Sequence, residues 1–552
     1  MSRQEAQAAI YLWQDGFQER RGFIMTGLKK TVAAALIAGM AFLLAACGDS
    51  ENGSQTGTEP SASGGTHLNF SCYSYSNSMD PVTNVNSSWC FLRYGVGECL
   101  FRFDENVVVE NALCDSYETE DYTTWVLHIR DGVRFSNGNQ VTPTVVRESL
   151  ERVYAAEADG TGNSTPSQYV TFASIEADDA AGTVTLVCDS QTVNLPGILA
   201  YPWYAIVDTS VIDSEVIGTG PYYVTAVSEN STVDLAKNEY YWDGEVPYDT
   251  IRIYLTEDSS TKAMALKSGD VDLAENITTP SDLAELEADP AYHVSTTAGV
   301  RLGNSYFNFN GILGNEALRQ AIQYAVDDET MCEVTVGGMY TAGCSVLPSS
   351  LSYGYDQLTD PYAYDLDKAV QVLDEAGIVD TDGDGCRELD GQNINLNYLA
   401  YSSRNLDEFA QAVAITLESI GIGCTVTVQD YDTALANQSA GNFDMITSNA
   451  NVVPTGDPTG FLGNWYSGNS DSYGYYTNEE YDALYEQLLA ETDADEQLSL
   501  ITRMQQLLID DAATLVHGYY NSTFASRTDA VSGADITPMD YYWITTKIQP
   551  AE

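Results

Sequence analysis

Trp125, Leu127 and Ile129 alternate with Val126, His128 and Arg130, the two-residue period of a half-buried strand. Asp131-Gly132 and Asn137-Gly138 mark turns beyond this strand. Residues 141–152, VTPTVVRESLER, then predict a helix: Thr142 can cap it, Pro143 fits its first position, and Val145, Val146 and Leu150 are apolar. Val184, Leu186 and Cys188 alternate as another strand, and Gly218 to Tyr222 (GTGPY) predict a tight turn before the strand YYVTAV. DTIRIYLTED and TKAMALKSGDVDLAE read as strand, helix and strand, and Ala317, Leu318, Ile322 and Ala325 sit at helical spacing. Residues 365–377 form an amphipathic helix ending at Gly377. INLNYLAYSS predicts a strand. Leu406, Phe409, Val413, Leu417 and Ile420 then make one helical stripe, stopped by Gly421 before the strand CTVTVQ. A strand–helix–strand unit with a helix of that length argues for a parallel α/β sheet. Residues 443–476 read as a long, aromatic-rich loop stretch, of the kind that often carries function. Thr477 to Glu480 read as a capping box opening the helix EEYDALYEQLLAET.

Composition narrows the classes. At 552 residues the chain can bury more than one core, and 44% hydrophobic content describes a globular protein. The balance of 23 basic against 80 acidic residues, a net charge of −57, repels phosphate backbones and excludes nucleic acid as a partner. Four widely spaced histidines (67, 128, 293, 517) argue against a zinc site, and no metal or cofactor is expected. Asp380, Asp382 and Asp384 match the start of a calcium loop, but Gly391 stands where the bidentate Glu is needed, so the stretch reads as a solvated turn. Nucleophile-elbow, HExxH, Walker and dinucleotide motifs are all missing from the sequence, so no enzyme is expected.

The N-terminus reads as an address. Lys29-Lys30 precede the apolar run 31–46, which at 16 residues is too short to span a bilayer and ends at Leu44-Ala45-Ala46-Cys47. Residues 1–46 are therefore a signal region, with a start at Met25 expected, and Cys47 is the lipidation site. Residues 47–66 form a flexible tether whose Gly/Ser/Thr-rich part reaches on the order of 25 Å. The mature protein is expected on the outer face of the cell membrane, lipid-anchored. Nine further cysteines, an odd number without a CxxC pair, leave the pairing unreadable.

The wording of these segments is more specific than their periodicity. Residues 125–152, WVLHIRDGVRFSNGNQVTPTVVRESLER, resemble the WTFxLRxGVxFxxGxxVTAxDVxxSxxR signature of the family 5 solute-binding proteins, the peptide and nickel receptors of ABC importers. GTGPY about 90 residues later, the LKSGDVDLAE segment, Arg319 and Asp327 in LGNEALRQAIQYAVDDET, and the stretch ending in Gly421 resemble further family segments in the correct order. One departure is Ile312-Leu313-Gly314 where the family has Pro-Phe.

The resemblance implies an α/β, two-lobed periplasmic-binding-protein type II (Venus-flytrap) fold with an extra subdomain in the first lobe. The first lobe would comprise 67–305 plus 521–552, and the second 306–520. It implies an extracytoplasmic receptor, a monomer, that captures a peptide or peptide-like solute by hinge closure and delivers it to an ABC permease with its ATPase subunits. Receptors of the same fold for an oligosaccharide, opine or nickel chelate, or a non-transport surface sensor, are the alternatives. Candidate ligand-binding residues are Tyr306 and Asn308 on the strand near the lobe crossover, and Arg404 at a strand end, where an anionic ligand group could sit. Asp457, Trp465, Tyr466 and Tyr473 are candidates from the aromatic loop. In the peptide-binding members an acid three positions ahead of the Asp457-Pro458 pair grips the peptide's amine; here that position is Pro454.

Overall fold

The computed structural model describes residues 65–73, 78–162, 165–469 and 473–552. The signal region, Cys47 and most of the tether lie outside them.

The strand expected around Trp125 is Thr124–Ile129, with Trp125, Leu127 and Ile129 buried. It sits inside a four-stranded antiparallel sheet in the order Cys114–Glu118, Thr124–Ile129, Thr183–Cys188, Phe172–Asp178. Helix α1 (Pro143–Asp159) packs on this sheet. Thr142 caps it by accepting a hydrogen bond from the Val145 amide at 3.3 Å, and Gly160 ends it with φ 63°. This is the extra subdomain.

A larger mixed sheet carries the rest. Its strands are β1 (His67–Cys72), β2 (Tyr222–Ser228), β3 (Thr232–Lys237), β4 (Thr250–Leu255), β5 (Leu273–Glu275), β6 (Tyr292–Phe307), β7 (Asn395–Tyr401), β8 (Gly423–Gln429), β9 (Met445–Asn451) and β10 (Thr514–Arg527). They lie in the order β8-β7-β9-β6-β10-β5-β1-β4-β3-β2, with Tyr340–Thr341 pairing β10 off this path. On one side β1 runs parallel to β4 and β5; on the other β7 runs parallel to β8 and β9. Helix α2 (Ser259–Ser268) joins β4 to β5, and helix α3 (Leu406–Ser419) joins β7 to β8. The stripe Leu406, Phe409, Val413 and Leu417 is buried as its spacing requires.

The two long strands β6 and β10 pair antiparallel through the middle of the sheet and belong to both sides. Their register shifts between Ala298 and Leu302 and again between Gly303 and Asn304. Such irregularities bend strands and re-aim side chains. Beside them, GTGPY packs so tightly on residues 95–97 that a Cβ on Gly220 would collide with the Gly95 carbonyl.

Two local expectations shift. The helix after the aromatic stretch is Glu479–Leu488, capped by Asn478 and not by Thr477: the Asn478 side chain accepts from the Glu480 and Tyr481 amides at 2.9 and 3.1 Å. The stretch 443–476 begins not as a loop but as β9, whose polar Ser448-Asn449-Ala450-Asn451 half pairs with β6. Sheet context outweighs the low strand propensity of Asn and Ser there.

Candidate functional site

The carboxyl ends of three strands converge, those of the parallel pair β1 and β5 from one side and that of β7, which runs antiparallel to them, from the other. Tyr73 follows β1, Glu275 and Asn276 end β5, and Arg404 lies just beyond β7. Together with Arg301 at the β6 irregularity, Tyr520 and Ser522 on β10, and Asp540 and Trp543 from the C-terminal segment, they line a cavity of about 30 Å³. Ligands of open α/β sheets bind beyond strand carboxyl ends. At about 30 Å³ this conformation encloses room for little more than one water.

The lining is charged and buried. Asp540 accepts from Arg93 Nη2 at 2.8 Å and lies 3.6 Å from Arg301 Nε. Arg93 also donates from Nε to the Asp540 carbonyl at 2.7 Å, and its guanidinium stands 4.3 Å from the Trp543 ring centroid and 4.9 Å from that of Trp89. Lys262, on α2, donates to the Glu275 and Asn276 carbonyls at 2.6 and 3.0 Å, and its Nζ stands 3.7 Å from Glu275 Oε2. Burial pushes the Glu275 carboxyl up, against the opposing fields of Lys262 and Arg93. Burial also acts to raise Asp540, but Arg301, Arg93 and Arg404 together hold it below the usual carboxylate value. Arg404 stands 5.3 Å from the Tyr520 ring centroid.

Several of these groups have hydrogen-bonding capacity left over. Glu275 Oε2, Asn276 Oδ1, Arg301 Nε, Arg93 Nη1 and Asp540 Oδ1 are buried without a hydrogen-bond partner. Buried polar atoms are ordinarily paired, and four of these five belong to residues that line the cavity. Asn276 (φ 53°) and Arg404 (φ 50°) are also held in left-handed backbone conformations, a cost that non-glycine residues carry where the surroundings enforce it.

Of the residues expected from sequence, Arg404 faces this cavity. Tyr306, Trp465 and Tyr473 come together elsewhere: the Tyr306 ring lies 5.4 Å from Trp465 and 5.2 Å from Tyr473, and its hydroxyl accepts from Asn464 at 3.3 Å. Tyr306 and Trp465 are buried, and Tyr473 is exposed at the edge of the cluster. Tyr466 lies against Tyr485 at 4.8 Å and donates to Glu486 at 2.9 Å. Asn308 spends its amide on the chain itself, donating to the Phe443 carbonyl at 2.8 Å and accepting from the Asn310 amide at 3.0 Å. Asp457 accepts from the Thr459 amide at 2.6 Å, a local turn contact. Sequence reasoning passed over Glu275, Asn276, Arg301, Tyr520 and Asp540. A charged residue inside an apolar strand run, as in VDLAE or GVRLG, was the available signal for two of them.

Residues 108–473 match the family model of the bacterial extracellular solute-binding proteins, family 5 Middle. Heme-binding protein A of Haemophilus influenzae is 25% identical over 475 residues, covering 78% of this chain and 83% of that protein. The dipeptide-binding protein DppE of Bacillus subtilis is 24% identical over 569 residues, covering 94% of this chain and 98% of that protein. Among solved structures, NikA from Brucella suis in complex with Fe(III)-EDTA has the same fold, with a TM-score of 0.77 at 22% identity over 88% of this chain and 99% of that one.

Proposed function

Because the chain belongs to the bacterial extracellular solute-binding proteins of family 5, which are binding proteins and not enzymes, we propose that it is the substrate-binding receptor of an ABC importer and captures a peptide or peptide-like solute in the cavity at Arg301, Arg404, Glu275 and Asp540. The observation that carries this reading is the set of buried, unpartnered donors and acceptors around that one cavity. A peptide offers both N–H donors and carboxylate acceptors, which complement such a set.

A space of about 30 Å³ admits no peptide, so capture requires the two sides of the sheet to part and close again. β6 and β10 are the strands that cross between them, and their register shifts beside Arg301 support a bending point there. The lobes on either side are 67–305 with 521–552, and 306–520. A solute touching both sides only when they are closed shifts the equilibrium towards closure, the form handed to the permease and its ATPase. Lipidated Cys47 and the tether to residue 66 hold this monomeric receptor at the outer membrane face. Tyr306, Trp465 and Tyr473 form the aromatic support of the second lobe, and Asn308, Tyr466 and Asp457 stabilise the segments around it.

A thermal-shift screen of the soluble part, from about Thr66, tests the reading against free peptides, N-blocked peptides, oligosaccharides and nickel chelates. A ligand at a hundredfold excess over its Kd adds about 2.7 kcal/mol of stability. Shifts with peptides support the proposal. Shifts with sugars or chelates alone replace the cargo, and a fully responsive cleft without a neighbouring permease gene would favour a surface sensor.

A further inference from the structure

We infer that the solute carries net negative charge, with an anionic group held between Arg404 and Arg301; this rests on the cavity being the solute site. The chain as a whole has 23 basic and 80 acidic residues. Around the cavity the excess of acid disappears: Arg301 and Arg404 line it with only two carboxylates, Glu275 and Asp540, and Arg93 and Lys262 stand behind those carboxylates.

The pairing accounts for two of the four cations. Lys262 stands beside Glu275 at 3.7 Å, and Asp540 is shared by Arg93 at 2.8 Å and Arg301 at 3.6 Å. One of those two arginines is therefore without its own counter-charge, and the Arg301 Nε makes no hydrogen bond. Arg404 has no carboxylate at ion-pair distance among the described residues; its guanidinium stands over the Tyr520 ring, 5.3 Å from its centroid. Two uncompensated guanidinium charges in a part-buried site are costly until an anion joins them. A carboxylate matches the guanidinium fork in a way that a neutral amide does not.

The acceptors left over refine the class. Asn276 Oδ1 and Asp540 Oδ1 can accept hydrogen bonds, which the N–H groups of a peptide supply and a fully ionised simple dicarboxylate does not. An acidic peptide or peptide-like solute supplies both, with its net charge offsetting the surplus of positive charge.

The test compares acid and amide isosteres on the mature chain: Ala-Glu against Ala-Gln, and Ala-Ala-Glu against Ala-Ala-Gln, by isothermal titration. The acid is expected to bind about tenfold tighter than its amide, equivalent to about 1.4 kcal/mol. Arg404→Gln should shrink that advantage below about threefold, and Arg404→Lys should restore part of it because the charge returns without the fork. Should Arg404→Gln fail to fold, Arg301→Gln makes the same comparison. Equal affinities of acid and amide in the parent, or an acid preference that survives both substitutions, overturn the inference while leaving the peptide receptor standing. Binding of none of these peptides overturns the peptide-receptor reading together with the charge inference.

Discussion

Arg93 and Asp540, 447 residues apart in the chain, meet at 2.8 Å beneath the cavity, with the arginine almost fully buried. The contact ties the helix Val85–Arg93 to the C-terminal segment and sets the Asp540 carboxylate under Arg301. Removing one partner of a buried, hydrogen-bonded pair strands the other. Arg93→Met should therefore cost about 3–5 kcal/mol, read from urea denaturation; a loss below about 1 kcal/mol would show that the pair is relaxed by water.

The same pair has a pH signature. Asp540 is held below the usual carboxylate pKa by its three arginines despite burial, so its contribution is fully present above the unfolded value of about 4 and is lost as pH falls through the lower folded value. The destabilisation caused by Asp540→Asn should be largest at neutral pH and shrink in acid. A constant difference between parent and variant from neutral to acid pH would contradict this.

Glu98 has the opposite sign. Burial pushes its carboxyl up to about 7, against hydrogen bonds from Thr219 at 2.7 Å and Trp242 at 2.9 Å. The protonated form fits the fold, so this contribution is fully present below the unfolded value of about 4.3 and is lost as pH rises through about 7. Glu98→Gln, which keeps the shape without the charge, should stabilise the protein by on the order of 1–3 kcal/mol at pH 8 and change little near pH 4. Thermal unfolding at the two pH values decides it.

Trp465 and Tyr466 are neighbours in sequence with different surroundings. Trp465 is buried against Tyr306 and Phe461, both at 5.4 Å, so Trp465→Ala should cost about 3–5 kcal/mol. Tyr466 is half-exposed, and Tyr466→Phe, which removes only the bond to Glu486, should stay within about 1 kcal/mol. Equal losses in chemical denaturation would mean that the pair forms one packing unit.

Asp457 tests where the loop ends and the site begins. Its carboxylate accepts from the Thr459 amide at 2.6 Å. Asp457→Ala should cost about 0.5–2 kcal/mol, as the loss of a capping side chain does, and leave peptide affinity within about twofold. A selective loss of peptides with a free amine would instead return Asp457 to the ligand.

The sequence by itself determined the elements and the family. Thr142 and Pro143 start a helix, Gly421 stops one, and Trp125, Leu127 and Ile129 face one way, because caps, glycine conformations and side-chain periods act within a few residues. The family motifs are legible for the same reason, since each is a local turn or strand with its own chemistry. Even there the cap moved from Thr477 to Asn478, where the two hydrogen bonds are made.

The tertiary structure decided which charges meet. Glu275, Arg301, Arg404 and Asp540 sit in four separate segments, and only the order of strands around β6 and β10 brings them to one cavity, with Arg93 behind Asp540. Arg404 alone could be singled out beforehand, because it stands at a strand end. The aromatic residues looked equally suited to a ligand wall, but burial of Tyr306 and Trp465 against each other is favourable without any ligand. Composition counts charges; only the fold places them, and here it sets Arg301 and Arg404 beside Glu275 and Asp540 in a chain that is otherwise strongly acidic.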